Sequence, residues 1–139
     1  LDGQTDELTD VGRACLTADG IYDAWDSYGD GNTTQLVAGE EAVVTVLLTE
    51  CESGSFEFED LSCTTETDNN TLTVYSSATR IAPRGAQTDD CNVISVTCET
   101  PLLSEGSWSI VYGGGVDTFE VPHDGTAPCA EGAEYPSYW

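Results

Sequence analysis

The sequence predicts an all-β fold, an antiparallel β-sandwich of about seven strands. Apolar residues alternate with polar ones over short stretches, and turn-forming residues separate these stretches at intervals of about 8–12 residues. The 139-residue chain also has six cysteines, an even number that suits a small core stabilised by disulfides. We place the sandwich at residues 36–122, between an acidic extended segment at 1–35 and a tail with an aromatic end at 123–139.

The individual strands follow from hydrophobic patterning. A valine-rich run at 42–50 is typical of a strand that is buried on both faces or lies centrally in a sheet. The next stretch, 55–67, alternates with an expected irregularity near Asp60. Asn69-Asn70 is a turn, because asparagine tolerates the left-handed conformations that hairpins require. Further strands are predicted at 71–81 and 92–99, and in a hairpin that carries Trp108, Ile110 and Tyr112 on one face and turns at Gly113-Gly114-Gly115.

The charge of the chain is extreme. It has 26 acidic residues against three arginines and no lysine, which gives a formal net charge of -23. Such a charge repels phosphate backbones and anionic lipids, so we expect no nucleic-acid partner and no electrostatic attachment to membranes. No apolar run approaches the roughly 20 residues that span a bilayer, so no membrane span is expected.

The cysteines indicate an oxidising compartment. No pair has the C-x-x-C spacing and the chain has one histidine, so zinc-ribbon and haem-attachment patterns are missing. Three disulfides are expected, with the pairing left open, and the location is extracellular or at a cell surface. The start at Leu1 without methionine predicts a processed, mature chain. The six residues are Cys15, Cys51, Cys63, Cys91, Cys98 and Cys129.

The corner at residues 98–112 resembles a known type of domain. A cysteine, Thr-Pro, leucine, glycine, an aromatic residue, an alternating strand and Tyr-Gly-Gly follow one another there, and Leu61-Ser62-Cys63 and the turn near Asn69 fit the same pattern. The run is similar to cysteine-containing, immunoglobulin-like β-sandwich domains of secreted bacterial surface proteins, over about 36–122. The resemblance implies an immunoglobulin-like fold, a corner leucine and Trp108 in the core, and a Cys63–Cys98 bridge between sheets.

The best metal candidate lies in the acidic lead-in. Asp26, Asp30 and Asn32 offer oxygen ligands at short spacing in a glycine-containing turn, as calcium loops do. The EF-hand pattern fails because its third and twelfth positions are Tyr28 and Val37. A solvated acidic turn is the alternative, and calcium is the one cofactor that the sequence suggests.

Two further features concern the surface. Tyr135, Tyr138 and Trp139 are candidate interface residues, because exposed aromatic rings either dock on their own chain or anchor a neighbouring subunit. The stretches Asn32-Thr33-Thr34 and Asn69-Asn70-Thr71 match the acceptor pattern for N-linked glycans, and we interpret both as turns.

No catalytic constellation is assembled in the sequence. Glu57 and Glu59 alternate as an outward strand face, and His123-Asp124 has no orienting third group in evident reach. We therefore expect a protein that is not an enzyme and has no catalytic residues. The predicted function is a non-catalytic extracellular structural or interaction module, a self-assembling surface or filament subunit joined to its own copies by strand addition. The alternative is a calcium- or carbohydrate-binding module.

Overall fold

The structure, a computed structural model, describes residues 4–23 and 32–136. These residues form strands and no helix, so the all-β prediction is confirmed. Within these ranges there is accordingly no helix of the length and hydropathy that a bilayer crossing requires. The eleven strands are β1 (Thr5–Thr9), β2 (Arg13–Thr17), β3 (Thr33–Leu36), β4 (Val43–Glu52), β5 (Glu57–Asp68), β6 (Thr71–Ile81), β7 (Asn92–Glu99), β8 (Gly106–Tyr112), β9 (Gly115–Val121), β10 (His123–Thr126) and β11 (Cys129–Glu131).

Strand β6 is the centre of a five-stranded sheet, called here the β6 sheet. β5 pairs antiparallel along one edge of β6. The other edge is shared, since β1 pairs antiparallel with residues 77–81 and β8 pairs parallel with residues 71–74. β9 completes the sheet as the hairpin partner of β8. The prediction of a wholly antiparallel arrangement is wrong at β6–β8, because alternation of apolar and polar residues is the same for either strand direction.

A second, four-stranded sheet has the order β11-β2-β4-β7 and is called the β4 sheet. The position of β4 between two partners confirms the expectation for the valine-rich run. Val44 and Val46 face the core, while Thr45 is buried on the opposite face, where its hydroxyl donates to the carbonyl of Gly20 at 3.2 Å. β3 and β10 form a separate two-stranded pair.

The principal core cluster takes side chains from both larger sheets. Trp108 is buried in it, and its indole nitrogen donates to the Ser104 carbonyl at 2.8 Å. The corner leucine that joins it is Leu103, whereas Leu102 is exposed. Each fully buried aliphatic or aromatic side chain stabilises the fold by about 1.5–3 kcal/mol. The largest contributors include Leu16, Val44, Val46, Leu72, Val74, Ile110, Tyr112 and Phe119.

Disulfides pair all six cysteines. Cys63 of β5 bonds Cys98 of β7 and joins the two larger sheets, the pairing that the resemblance implied. Cys15 and Cys129 lie directly opposite each other on β2 and β11. The third bond, between Cys51 and Cys91, ties β4 to the loop before β7. Three disulfides are typical of an oxidising, extracellular-type environment.

The terminal regions belong to the sheets. The segment at 1–35, expected to be acidic and extended, contributes β1, β2 and most of β3, and the tail at 123–139 contributes β10 and β11. These five strands have no counterpart among the strands predicted individually, which correspond to β4–β9. They are three to five residues long, and main-chain pairing with a partner far along the chain needs no strong local pattern.

Candidate functional site

The C-terminal segment is bound to the body of its own chain. After β11, the amide of Gly132 donates to the carbonyl of Gly12 at 2.7 Å, and the amide of Gly12 donates to the carbonyl of Ala133 at 2.9 Å. These two hydrogen bonds hold the chain just before Tyr135 and Pro136, which contact Arg80 near the end of β6.

Arg80 receives this segment. Its side chain is 1% exposed, although arginine is among the residues that are rarely buried unless paired. The guanidinium donates to Oδ2 of Asp6 at 2.9 and 3.3 Å and to the carbonyl of Pro136 at 2.6 Å. The Cζ atom of Arg80 also lies 4.8 Å from the ring centroid of Tyr135 and 5.5 Å from the ring centroid of Phe56. Arg80 thus joins the first strand, the central strand and the C-terminal segment.

Glu52 completes this cluster. Its Oε2 accepts a hydrogen bond from the Tyr135 hydroxyl and lies 3.7 Å from Nη1 of Arg80. Burial, followed by the hydrogen bond to Glu52, raises the pKa of Tyr135 above its ordinary value. Burial also opposes the charge on Arg80, but hydrogen bonds to Tyr135 and Asp6 outweigh it and raise the pKa of the guanidinium. The cluster therefore holds a charged arginine and a neutral tyrosine at neutral pH.

The predicted interface residues are only partly described. Tyr135 is half-buried and packs against a core cluster of its own chain, formed by Leu8, Val11, Leu48 and Ala78. Tyr138 and Trp139 lie outside the described residues.

The predicted calcium ligands are not brought together by the described part of the chain. Asp26 and Asp30 lie outside it. Asn32 is described, and its side-chain amide is paired with the backbone of Asp23, accepting from the amide at 2.8 Å and donating to the carbonyl at 2.8 Å. Across residues 4–23 and 32–136, no group of three or more His, Cys, Asp or Glu side chains is placed to hold a metal ion.

The polar groups that the sequence singled out for chemistry make structural contacts. His123 pairs through Nε2 with the carbonyl of Thr126 at 2.8 Å, within its own short strand. Glu57 and Glu59 are both exposed and lie opposite Ile81 and Thr79 of β6.

Asp90 organises the loop between β6 and β7. Its carboxylate accepts from the Thr88 hydroxyl at 2.5 Å, the Gly54 amide at 3.0 Å and the Asn92 side chain at 2.9 Å. These hydrogen bonds, that of Thr88 first, lower the pKa of Asp90 to about 2. A carboxylate bonded in this way orders the loop that carries Cys91.

The outer face of the β6 sheet carries a patch of uncharged side chains that the sequence analysis missed. In β6 the burial alternates, so that Leu72 and Val74 face the core while Thr73 and Tyr75 face outward. Cross-strand neighbours extend this outward face across the sheet, since Thr73 of β6 lies opposite Val111 of β8. We call this surface the neutral face and define it by Ser62, Thr64, Thr71, Thr73, Tyr75, Ser77, Ser109, Val111, Val116 and Thr118.

Acidic residues border the neutral face, and one of them, Glu66, lies directly opposite Thr73 and accepts a hydrogen bond from the Tyr75 hydroxyl at 3.4 Å. Glu66 and Asp68 lie at the β5 margin, Glu7 on β1 and Glu120 on β9. Tyr75 and Val116 are 43% and 61% exposed, two of the large hydrophobic side chains that the described residues leave in solvent. The signal was present in the sequence, because every second residue of 71–79 is threonine, tyrosine or serine.

Comparisons with protein-family models, with curated proteins and with solved structures find no match. The function proposed below therefore rests on the geometry of the chain itself.

Proposed function

We propose that this chain is a non-catalytic extracellular structural module that associates with further copies of itself through the neutral face. The observation that carries the proposal is a patch of uncharged side chains, bordered by Glu66 and Asp68, on a chain with a net charge of -23. The fold we propose for it is an immunoglobulin-like sandwich. Support for that fold comes from the shared core of the two larger sheets and from the Cys63–Cys98 bond between them.

Charge repulsion restricts where two copies can touch. At physiological salt the Debye length is about 8 Å, so carboxylates on approaching acidic surfaces repel one another at contact distance. Like charges placed opposite each other in an interface cost several kcal/mol. A partner of opposite charge would be drawn to the acidic surfaces instead. The neutral face is thus suited to a second copy, with its acidic margin screened by salt.

The edges of the sheets are less suited to association by strand addition. At one side Cys63 is bonded to Cys98, and the Thr65 hydroxyl donates to the Glu99 carbonyl at 2.9 Å, so β5 and β7 adjoin. At the other side Gly115 of β9 lies so close to the carbonyl of Glu131 in β11 that a Cβ atom would collide with it. Edges that border each other in this way leave little room for an added strand, which favours the face over the edge route.

The test is to place a charge at the centre of the neutral face. Thr73→Glu adds a carboxylate between Glu66 and Val111, and Thr97→Glu adds the same charge at an exposed position on β7 in the other sheet. Sedimentation velocity over a range of protein and salt concentrations should show that the natural chain associates more strongly as salt increases. Thr73→Glu should weaken association at least about tenfold, equal to 1.4 kcal/mol, and Thr97→Glu should not.

Thermal unfolding of both variants controls for a loss of folding. The proposal is abandoned if the natural chain stays monomeric at every salt concentration. It is also abandoned if the two variants weaken association equally, because the contact then does not involve this face.

A further inference from the structure

Two asparagines stand in the N-x-Thr pattern, and the structure separates them. Asn32 has both polar atoms of its side-chain amide paired with the backbone of Asp23. The backbone carbonyl of Asn32 also accepts a hydrogen bond from the backbone amide of Ala127 at 2.8 Å. Attaching a sugar to the side-chain nitrogen of Asn32 would require this paired arrangement to open.

Asn69 is in the opposite situation. It lies at the tip of the β5–β6 hairpin, is exposed, and has a backbone φ of 49°. Within the described ranges its side chain makes no hydrogen bond, so its amide nitrogen is presented to solvent. The neighbouring Asn70, with a φ of 59°, donates through its own side chain to the Ser107 carbonyl at 3.0 Å and so anchors the turn to β8.

The surroundings of Asn69 leave room for a sugar. A surface groove starts at the hairpin tip and continues over β8 and β9, lined among others by Ser107, Ser109, Thr118 and Glu120. Hydroxyl and carboxylate groups of this kind are hydrogen-bonding partners for the hydroxyl groups of a carbohydrate. Thr71, the third residue of the pattern, is the first residue of β6 and is half-buried.

From this contrast we infer that Asn69 is a site of N-linked glycosylation and that Asn32 is not. The donor is a lipid-linked oligosaccharide. A bond forms between Nδ2 of Asn69 and the anomeric carbon of the first sugar, while the bond between that carbon and the phosphate oxygen breaks. The lipid phosphate leaves with the bonding electrons, and the amide nitrogen loses one proton. The groove shares Ser109 and Thr118 with the neutral face, but the attachment of a glycan is tested separately from association, by mass.

The experiment is to secrete the full chain from eukaryotic cells whose glycosylation is verified on a second secreted glycoprotein, and to measure its intact mass. The expected result is one glycan per chain, which peptide-N-glycosidase removes with conversion of Asn69 to aspartate. Asn69→Gln should abolish the added mass, and the matched control Asn32→Gln should retain it.

Because Asn69→Gln alters a residue with a left-handed backbone, Thr71→Val provides a second variant that keeps Asn69 and destroys only the acceptor pattern. It should also lack the glycan. An unmodified folded chain, a glycan on Asn32, or mass retained in Asn69→Gln would each overturn the inference. Peptide mapping of the protein from its natural source should find Asn69 modified, and an unmodified Asn69 there would overturn it as well.

Discussion

Replacement of Arg80 by alanine should be among the most damaging single substitutions in this chain. The change removes two charge-assisted hydrogen bonds to Asp6, one to the Pro136 carbonyl, and the cation above the rings of Phe56 and Tyr135. It also leaves the carboxylates of Asp6 and Glu52 without the cation that they share. Removing one partner of a buried ion pair costs about 3–5 kcal/mol.

Urea unfolding measures this loss. With an m-value of about 2 kcal/mol/M, a loss of 3–5 kcal/mol lowers the midpoint by about 1.5–2.5 M. The matched control is Arg84→Ala, which removes the same charge from an exposed position only four residues away. In this control the midpoint should move by no more than about 0.3 M, since surface substitutions usually change stability by less than 0.5 kcal/mol.

The same substitution should release the C-terminal segment. Hydrogen exchange at the Ala133 amide, which donates to the Asp10 carbonyl at 2.7 Å, should accelerate in Arg80→Ala and stay slow in Arg84→Ala. Tyr135→Phe removes only the hydroxyl that donates to Glu52 and should cost about 1–2 kcal/mol. If the two arginine variants unfold at the same urea concentration, the assignment of Arg80 as the residue that holds this segment is refuted.

Two further outcomes are expected. Burial raises the pKa of Tyr112 to about 12, so the stability that its neutral form provides is complete below pH 10 and is lost as pH rises towards 12. Urea unfolding across this range should show a smaller loss in Tyr112→Phe than in the natural chain or in Tyr75→Phe, and equal losses in all three would contradict the argument. Mild reductant should open Cys51–Cys91 first, because both of its cysteines are exposed while Cys15 is fully buried. Mass mapping of alkylated thiols tests this order, and early labelling of Cys15 would show it to be wrong.

Features that depend on neighbouring residues were predictable. The irregularity expected near Asp60 is a register shift between Glu59 and Ser62, with Asp60 at a φ of 53°. Such a position needs a residue that tolerates a left-handed backbone, and aspartate is one of the few that do. The same reasoning placed the turn at Asn69-Asn70, because one residue type and its immediate neighbours decide the local conformation.

The buried position of Arg80 was predictable from strand alternation, although its partners were not. Arg80 continues the inward series of β6 that contains Leu72, Val74 and Ala78, since all lie at even spacing along one strand. Strand alternation therefore predicts an inward guanidinium at the end of the strand. Its acceptors were not predictable, because Asp6 and Pro136 come from opposite ends of the chain.

The sequence by itself determined that the chain is all-β, disulfide-bonded and strongly acidic, and where its main strands and turns lie. These properties follow from composition and from residues a few positions apart. Only the tertiary structure decided the full pairing of the cysteines, the parallel contact between β6 and β8, the docking of Tyr135 on its own chain and the neutral face. Each of these depends on which distant segments become neighbours in a sheet. That choice is made by the packing of the whole core, which no local stretch of sequence encodes.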